Sequence, residues 1–280
     1  MVQSLVAGHF HIRLKLEKFM RQRIILVCWL LLFTLLTAGQ SLAWAEETQR
    51  PQMSAVAEIG RIGKAAKGTA GVAAIHLETG RKIAHNADEF FPMASTVKVA
   101  VAAKILDLAD KGQISLTSRI PVKRSELAPG GPLGDIHWRH GLSFSAADLL
   151  AKAYRANPAY DADPRDQATP SAMLGLLCKI WLEDGVSRSA RSMLLPMMER
   201  SATGLKGIRG RLPVGTIVAD KTGTLAGTVN DVGFITLPDG KGHIAIVVFV
   251  KGSEAPSDTQ EAAIVDIARL VYDYYLISAQ

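Results

Sequence analysis

Ser95-Thr96-Val97-Lys98 sets a hydroxyl and an amine three residues apart at the head of a mostly apolar run, Val99 to Leu106. If that run is a helix, the two side chains stand one turn apart on the same face. Ser95 then lies in the first turn, where unpaired N–H groups and the positive end of the dipole favour developing negative charge. A serine hydroxyl is a poor nucleophile at neutral pH, but a partly desolvated lysine of lowered pKa can take its proton. Four residues of this kind also describe an ordinary helix start with a surface lysine. The rest of the chain decides between the two.

A second element lies far downstream, at Asp220-Lys221-Thr222-Gly223-Thr224. Thr216 to Asp220 reads as a strand entering this K-T-G. Lys221 and the Thr222 hydroxyl suit a substrate carboxylate, and Gly223 lets a substrate backbone approach closely. An S-x-x-K helix, a K-T-G strand and an N-terminal export signal together resemble the penicillin-recognising serine hydrolases, most closely the class A β-lactamases. The likeness runs from about Gly71 to the end of the chain. Phe91-Pro92-Met93 before the serine, Asp166-Gln167-Ala168-Thr169-Pro170-Ser171-Ala172-Met173, and Thr228-Val229-Asn230-Asp231 after the K-T-G all carry it.

The resemblance implies roles. Ser95 is the nucleophile and Lys98 its proton acceptor or relay. Lys221, Thr222, Gly223 and Thr224 form the substrate clamp, and the backbone N–H groups of Ser95 and Thr224 form the oxyanion hole. Asn230 and Asp231 match residues that shape the wall beside the clamp. No cofactor and no metal is implied; the histidines show no metal-ligand spacing, and no C-x-x-C pair occurs.

Residues 1 to 45 read as a targeting segment. Arg13, Lys15, Lys18, Arg21 and Arg23 make a basic region, Ile24 to Leu36 an apolar run short for a membrane span, and Ala43-Trp44-Ala45 a cleavage site. Met20, ahead of Arg21, makes the more ordinary start, and an uncleaved anchor is the alternative reading. This segment holds five basic residues and one acid, Glu17, so it carries +4 of the net +6 and leaves +2 for residues 46–280. The basic balance is therefore no argument for nucleic acid. Beyond the leader only Cys178 remains, which excludes an internal disulfide and suits an exported bacterial enzyme. It falls in the apolar run Met173 to Leu182 and reads as a core residue.

Residues 46–280 are expected to form one unit, a periplasmic, monomeric domain acting on a small molecule, a β-lactam or a peptidoglycan-like peptide. Residues 46 to 69 read as a polar, weakly helical lead-in. Gly71 to Glu78 reads as a strand, turned by Thr79-Gly80-Arg81 into a second over Lys82 to Asn86. Gly112 closes the Ser95 helix. Residues 119 to 141 read as loop, with Ser143 or Ser145 capping a short helix to about Tyr154. Thr169-Pro170 opens a helix with proline at its first position. Strands follow over Thr216 to Lys221, Asn230 to Leu237 and His243 to Lys251. A last helix over Thr259 to Leu276 presents Ala263, Ile264, Ile267 and Val271 on one face. The fold expected is α/β (α+β), β-lactamase/transpeptidase-like: an antiparallel sheet built from both chain ends, flanking helices and a shortened helical lobe.

Two elements of the family are missing. One is S-D-N, whose serine passes a proton to the departing ring nitrogen; the other is E-x-x-L-N, whose glutamate activates the deacylating water. Between Asp148-Leu149-Leu150 and Asp166-Gln167 the sequence is much shorter than the family pattern. One alignment sets Arg155-Ala156-Asn157 on S-D-N; another sets Asn157 at the end of E-x-x-L-N, with Ala153 where the glutamate belongs. A helix-sized deletion across both motifs explains the two losses together. Arg155 is the nearby candidate to pair with Asp166, and Asp161 or Asp163 the candidate replacement base, against solvated loop acids. Trp138 and His140 line the groove or simply pack their loop. The reading is an impaired serine β-lactamase. The alternatives are a non-hydrolytic binder or acyl trap, a decayed allele, and a D-alanyl-D-alanine peptidase-like enzyme.

Overall fold

The computed structural model describes residues 51–121, 143–145, 166–201 and 204–278. The compact unit runs from Ser54 to Gln280. Helix α1 covers 51–65. Strands β1 (Thr69–His76) and β2 (Lys82–His85) form a hairpin, followed by the short β3 (Phe91–Pro92). A 3₁₀ turn over Ala94–Thr96 leads into α2 (Val97–Asp110). Beyond it come β4 (Arg119–Pro121), β5 (Ser143–Ser145) and β6 (Gln167–Ala168). Helices α3 (Pro170–Leu182) and α4 (Arg188–Glu199) follow, then β7 (Val218–Leu225), β8 (Thr228–Thr236), β9 (His243–Lys251) and α5 (Ser257–Ser278).

Five strands form one antiparallel sheet in the order β2-β1-β9-β8-β7. The first strand and the last are neighbours, so the sheet is assembled from both ends of the unit, as the sequence suggests. The centre of the sheet is apolar on both faces. In β9, Ile244, Ile246, Val248 and Val250 join a core with Ala55 and Ile59 of α1 and with Ile264, Ile267 and Val271 of α5. The alternate residues Ala245, Val247 and Phe249 join the opposite core, with Val99 and Leu106 of α2, Leu177 of α3 and Leu194 of α4. A strand buried on both faces has to be a continuous apolar run, which β9 is. The expected face of α5, Ala263, Ile264, Ile267 and Val271, is buried throughout.

Local chemistry sets several boundaries. The Thr169 hydroxyl accepts from the Ala172 N–H at 3.0 Å and Pro170 takes the first position of α3, as its sequence predicts. Ser187 caps α4 in the same way. Gly112 follows the end of α2 at φ +68.

Two expectations change. Ser143–Ser145 is a strand paired with Arg119–Pro121, so the loop expected over 119 to 141 begins later, and the helix expected after it, to about Tyr154, lies outside the described residues. The pairing partner lies more than twenty residues upstream, beyond the reach of a local cap signal. The K-T-G sits inside a strand rather than after one, because β7 continues to Leu225 along the whole of β8. Trp138, His140, Ala153, Arg155, Asn157, Asp161 and Asp163 lie outside the described residues, as does the leader. Among the described residues no helix is long and apolar enough to cross a membrane.

Candidate active site

Ser95 is carried on the 3₁₀ turn rather than on the first turn of α2, with Lys98 the second residue of the helix that follows. The helix buries Val99, Ala103 and Leu106 along one stripe, which anchors the end that holds Lys98. Ahead of Ser95, Ala94 stands at φ +48. That left-handed conformation costs a non-glycine residue about 1–2 kcal/mol and needs outside support. Met93 supplies it. Its N–H donates to the Asp166 carbonyl at 2.8 Å, and its carbonyl accepts from the Thr96 N–H at 3.1 Å and the Thr96 hydroxyl at 2.6 Å.

The K-T-G strand packs directly against this turn. A Cβ on Gly223 would lie 3.0 Å from the Met93 oxygen, the Ala94 Cβ and the Ser95 nitrogen, so no larger residue fits unless the turn moves. Opposite Gly223 in the ladder is Asn230, fully buried. Its Nδ2 donates to the Pro92 carbonyl at 2.6 Å and the Met93 carbonyl at 3.2 Å, while its Oδ1 accepts from the Val250 N–H at 3.3 Å.

The pleat sorts the remaining side chains. Lys221, Gly223 and Asn230 share the face that carries Ser95; Thr222 and Thr224 take the opposite phase on the edge strand. The structure thus brings Ser95, Lys98, Lys221 and Gly223 together, with Thr222 half-buried and Thr224 exposed at the rim. Burial and the nearby Lys221 charge draw the Lys98 amine down to about 8. Burial lowers Lys221 as well, against the pull of Asp231 and Asp220. The Lys221 amine donates to the Thr222 carbonyl at 2.6 Å. A half-buried lysine near neutrality beside a serine is chemically a proton acceptor.

Beneath the clamp, on the other face, lie two buried acids. Asp220 stands opposite Gly233, and Asp231 opposite Thr222, so the two face each other diagonally. A Cβ on Gly233 would strike the Ala219 carbonyl, and its absence keeps β7 close to β8. Arg209 donates to Asp220 from Nε at 2.5 Å and pairs with it again through Nη2. The same guanidinium caps α4 by donating to the Met198 and Glu199 carbonyls at 2.9 and 2.8 Å. Asp231 accepts from the Ile208 N–H at 2.7 Å. Each acid keeps one buried oxygen with no hydrogen-bond partner among the described residues. Burial first, and then the Asp220 charge, push Asp231 well above the usual carboxylate range. Burial also raises Asp220, against Arg209. The arrangement favours the protonated form of Asp231.

The sequence motifs point to no role for Arg209 or Asp220, and to Asn230 only as part of the wall beside the clamp. A signal for them exists: amide and acid side chains inside strands of otherwise apolar and β-branched residues, where such groups are unfavourable without a partner.

A five-stranded antiparallel sheet with helices on both faces, and a serine–lysine turn backed by a K-T-G strand, define the serine hydrolase architecture. The chain belongs to the β-lactamase enzyme family, whose family model matches residues 53–157 and again 153–275. It is 26% identical to β-lactamase CTX-M-25 of Escherichia coli over 244 residues, 73% of this chain and 84% of that protein. Against β-lactamase VEB-1 of Pseudomonas aeruginosa it is 28% identical over 255 residues, 74% and 85% of the two chains. The crystal structure of TLA-1 extended-spectrum β-lactamase superposes with a TM-score of 0.71 at 30% identity, covering 81% of this chain and all of that one. An ancestral class A β-lactamase gives 0.70 at 28% identity, with 78% and 99% covered.

Proposed function

We propose that the chain is a periplasmic β-lactam-opening serine hydrolase that keeps the nucleophile, its base and the substrate clamp, and is impaired by loss of the family's proton relay to the ring nitrogen and of its deacylating base. The observation that carries this reading is the seating of Gly223 against the Ser95 turn, which joins the two halves of an acyl-transfer site. In the first step the Lys98 amine takes the Ser95 proton and Oγ attacks the ring carbonyl. The C–N bond breaks, the ring nitrogen takes the proton that Lys98 carries, and the acyl group stays on Ser95. The Ser95 and Thr224 N–H groups receive the oxyanion, and Lys221 with Thr222 and Thr224 receives the substrate carboxylate at the edge of the sheet.

Release needs an activated water. Whether Arg155-Ala156-Asn157 is set on S-D-N or Asn157 at the end of E-x-x-L-N with Ala153 where the glutamate belongs, neither alignment restores both general acid–base groups. The family model matches in two pieces that meet at 153–157, which supports a block lost there. Loss of one such group typically lowers a rate by about 10² to 10⁴. The leader, cut near Ala45, would deliver the domain to the periplasm as a monomer that needs no cofactor.

Intact-protein mass spectrometry after mixing with a penicillin, with Ser95→Ala as control, tests the reading. A lasting adduct on the wild type alone is the expected result. Product without an adduct would mean full turnover and sink the claim about the missing glutamate. Neither adduct nor product would overturn the hydrolase reading itself. The mass of the same protein from a periplasmic extract checks cleavage after Ala45.

A further inference from the structure

Asn230 reaches from β8, under β7, to the two carbonyls that precede Ala94. Those carbonyls orient the Pro92–Met93 and Met93–Ala94 peptides in turn, and the left-handed Ala94 torsion that follows sets where the Ser95 N–H and hydroxyl point. Thr96 holds the Met93 carbonyl from within the turn; Asn230 holds it from the sheet. The site demands a particular chemistry: a side chain with two donors toward Pro92 and Met93 and one acceptor toward the Val250 N–H. A primary amide supplies this set. An ionised carboxylate has no donor and would face two carbonyl oxygens. A neutral carboxylic acid supplies one donor and one acceptor in almost the same shape.

We propose that Asn230 is a positioning residue for Ser95, holding the turn through the Pro92 and Met93 carbonyls so that the nucleophile and its N–H meet the acyl carbonyl together. This rests on the acyl-serine reading. It assigns Asn230 no contact with substrate.

The test is Asn230→Asp beside Asn230→Ala, with the rate of penicillin adduct formation followed by mass spectrometry between pH 5 and 8.5. Lys98, Lys221 and Lys251 are charged groups on that side of the sheet, and Asp220 and Asp231 lie on the other. All of them are also present in the wild type, so the rate is taken as variant over wild type at each pH. Burial against two carbonyls raises the pKa of the introduced acid. Asn230→Asp is expected about 100-fold slow at pH 8, recovering to within about tenfold as the acid is protonated. Asn230→Ala is expected to be about as slow at every pH, with the apparent affinity for penicillin shifted by less than about threefold. A pH-independent ratio for Asn230→Asp, or an Asn230→Ala rate within threefold of wild type, would overturn the proposal.

If the wild type forms no adduct, the hydrolase reading fails and the positioning is read from amide exchange. Faster exchange in Asn230→Ala over 91–99 and at Val250, with 244–248 unchanged, supports it. Uniform loss of protection, or none, overturns it.

Discussion

Lys98 and Lys221 bring two amines to one side of the site, and burial together with the Lys221 charge holds Lys98 at about 8. As the acceptor of the Ser95 proton, Lys98 works in its neutral form. Acylation is therefore expected to rise nearly tenfold per pH unit from pH 6 and to level off above about pH 8, read from stopped-flow penicillin consumption. A flat profile over that range would remove Lys98 as the base. Lys221→Ala should move the inflection upward, because one like charge is gone.

Gly223 makes a second prediction. Gly223→Ala puts a methyl group against the Met93 oxygen and the Ser95 nitrogen, so the turn must shift. Overpacking of this kind costs about 1–3 kcal/mol. The turn has to give by a few tenths of an ångström, short of the full ångström that costs about 10²-fold, so a rate loss of about tenfold is expected. Thermal unfolding and adduct formation together check it, and a variant that acylates at the wild-type rate would contradict the packing described.

Asp231 predicts a pH signature in stability. Its folded pKa lies above that of an unfolded aspartate, so the folded chain keeps a proton that the unfolded chain releases. The associated stability is complete below about pH 4 and is lost as pH rises through the folded titration. Asp231→Asn stays neutral throughout and offers a donor toward Asp220. The difference in Tm between Asp231→Asn and wild type should therefore grow from pH 4 to 8. A constant difference would mean that Asp231 ionises normally.

Arg209 ties the fully buried Asp220 to the end of α4. Arg209→Met leaves that acid unpaired and two carbonyls without their donor, at a cost of about 3 kcal/mol. The expected result is a lower urea midpoint with an unchanged m-value. No change would mean that Asp220 is neutral without its partner.

How much of this could be read from the chain depended on distance along it. Thr169-Pro170 announces α3 because cap and helix touch within four residues. The continuous apolar run of β9 and the stripe of α5 follow from patterns that packing enforces. Ser95 and Lys221 could be found because their side chains form motifs. The left-handed Ala94 could not, since alanine has no local preference for that region; Thr96 and, from more than 130 residues away, Asn230 hold the turn around it. The β4–β5 ladder was missed for the same reason, its register being set by a partner rather than by its own residues. Arg209 and Asp220 form an ion pair only because β7 runs beside the end of α4.

The neighbourhood of β1 and β9 has a consequence for how the protein comes into being. Ser95 is made early and its backing strands late, so during synthesis the nucleophile emerges long before Gly223 and Asn230 exist. Pairings of such long separation close slowly and only once the whole chain is available. A ribosome that stops after α4 therefore releases a serine–lysine pair with no floor beneath it, and the site comes into existence only with the closing strands.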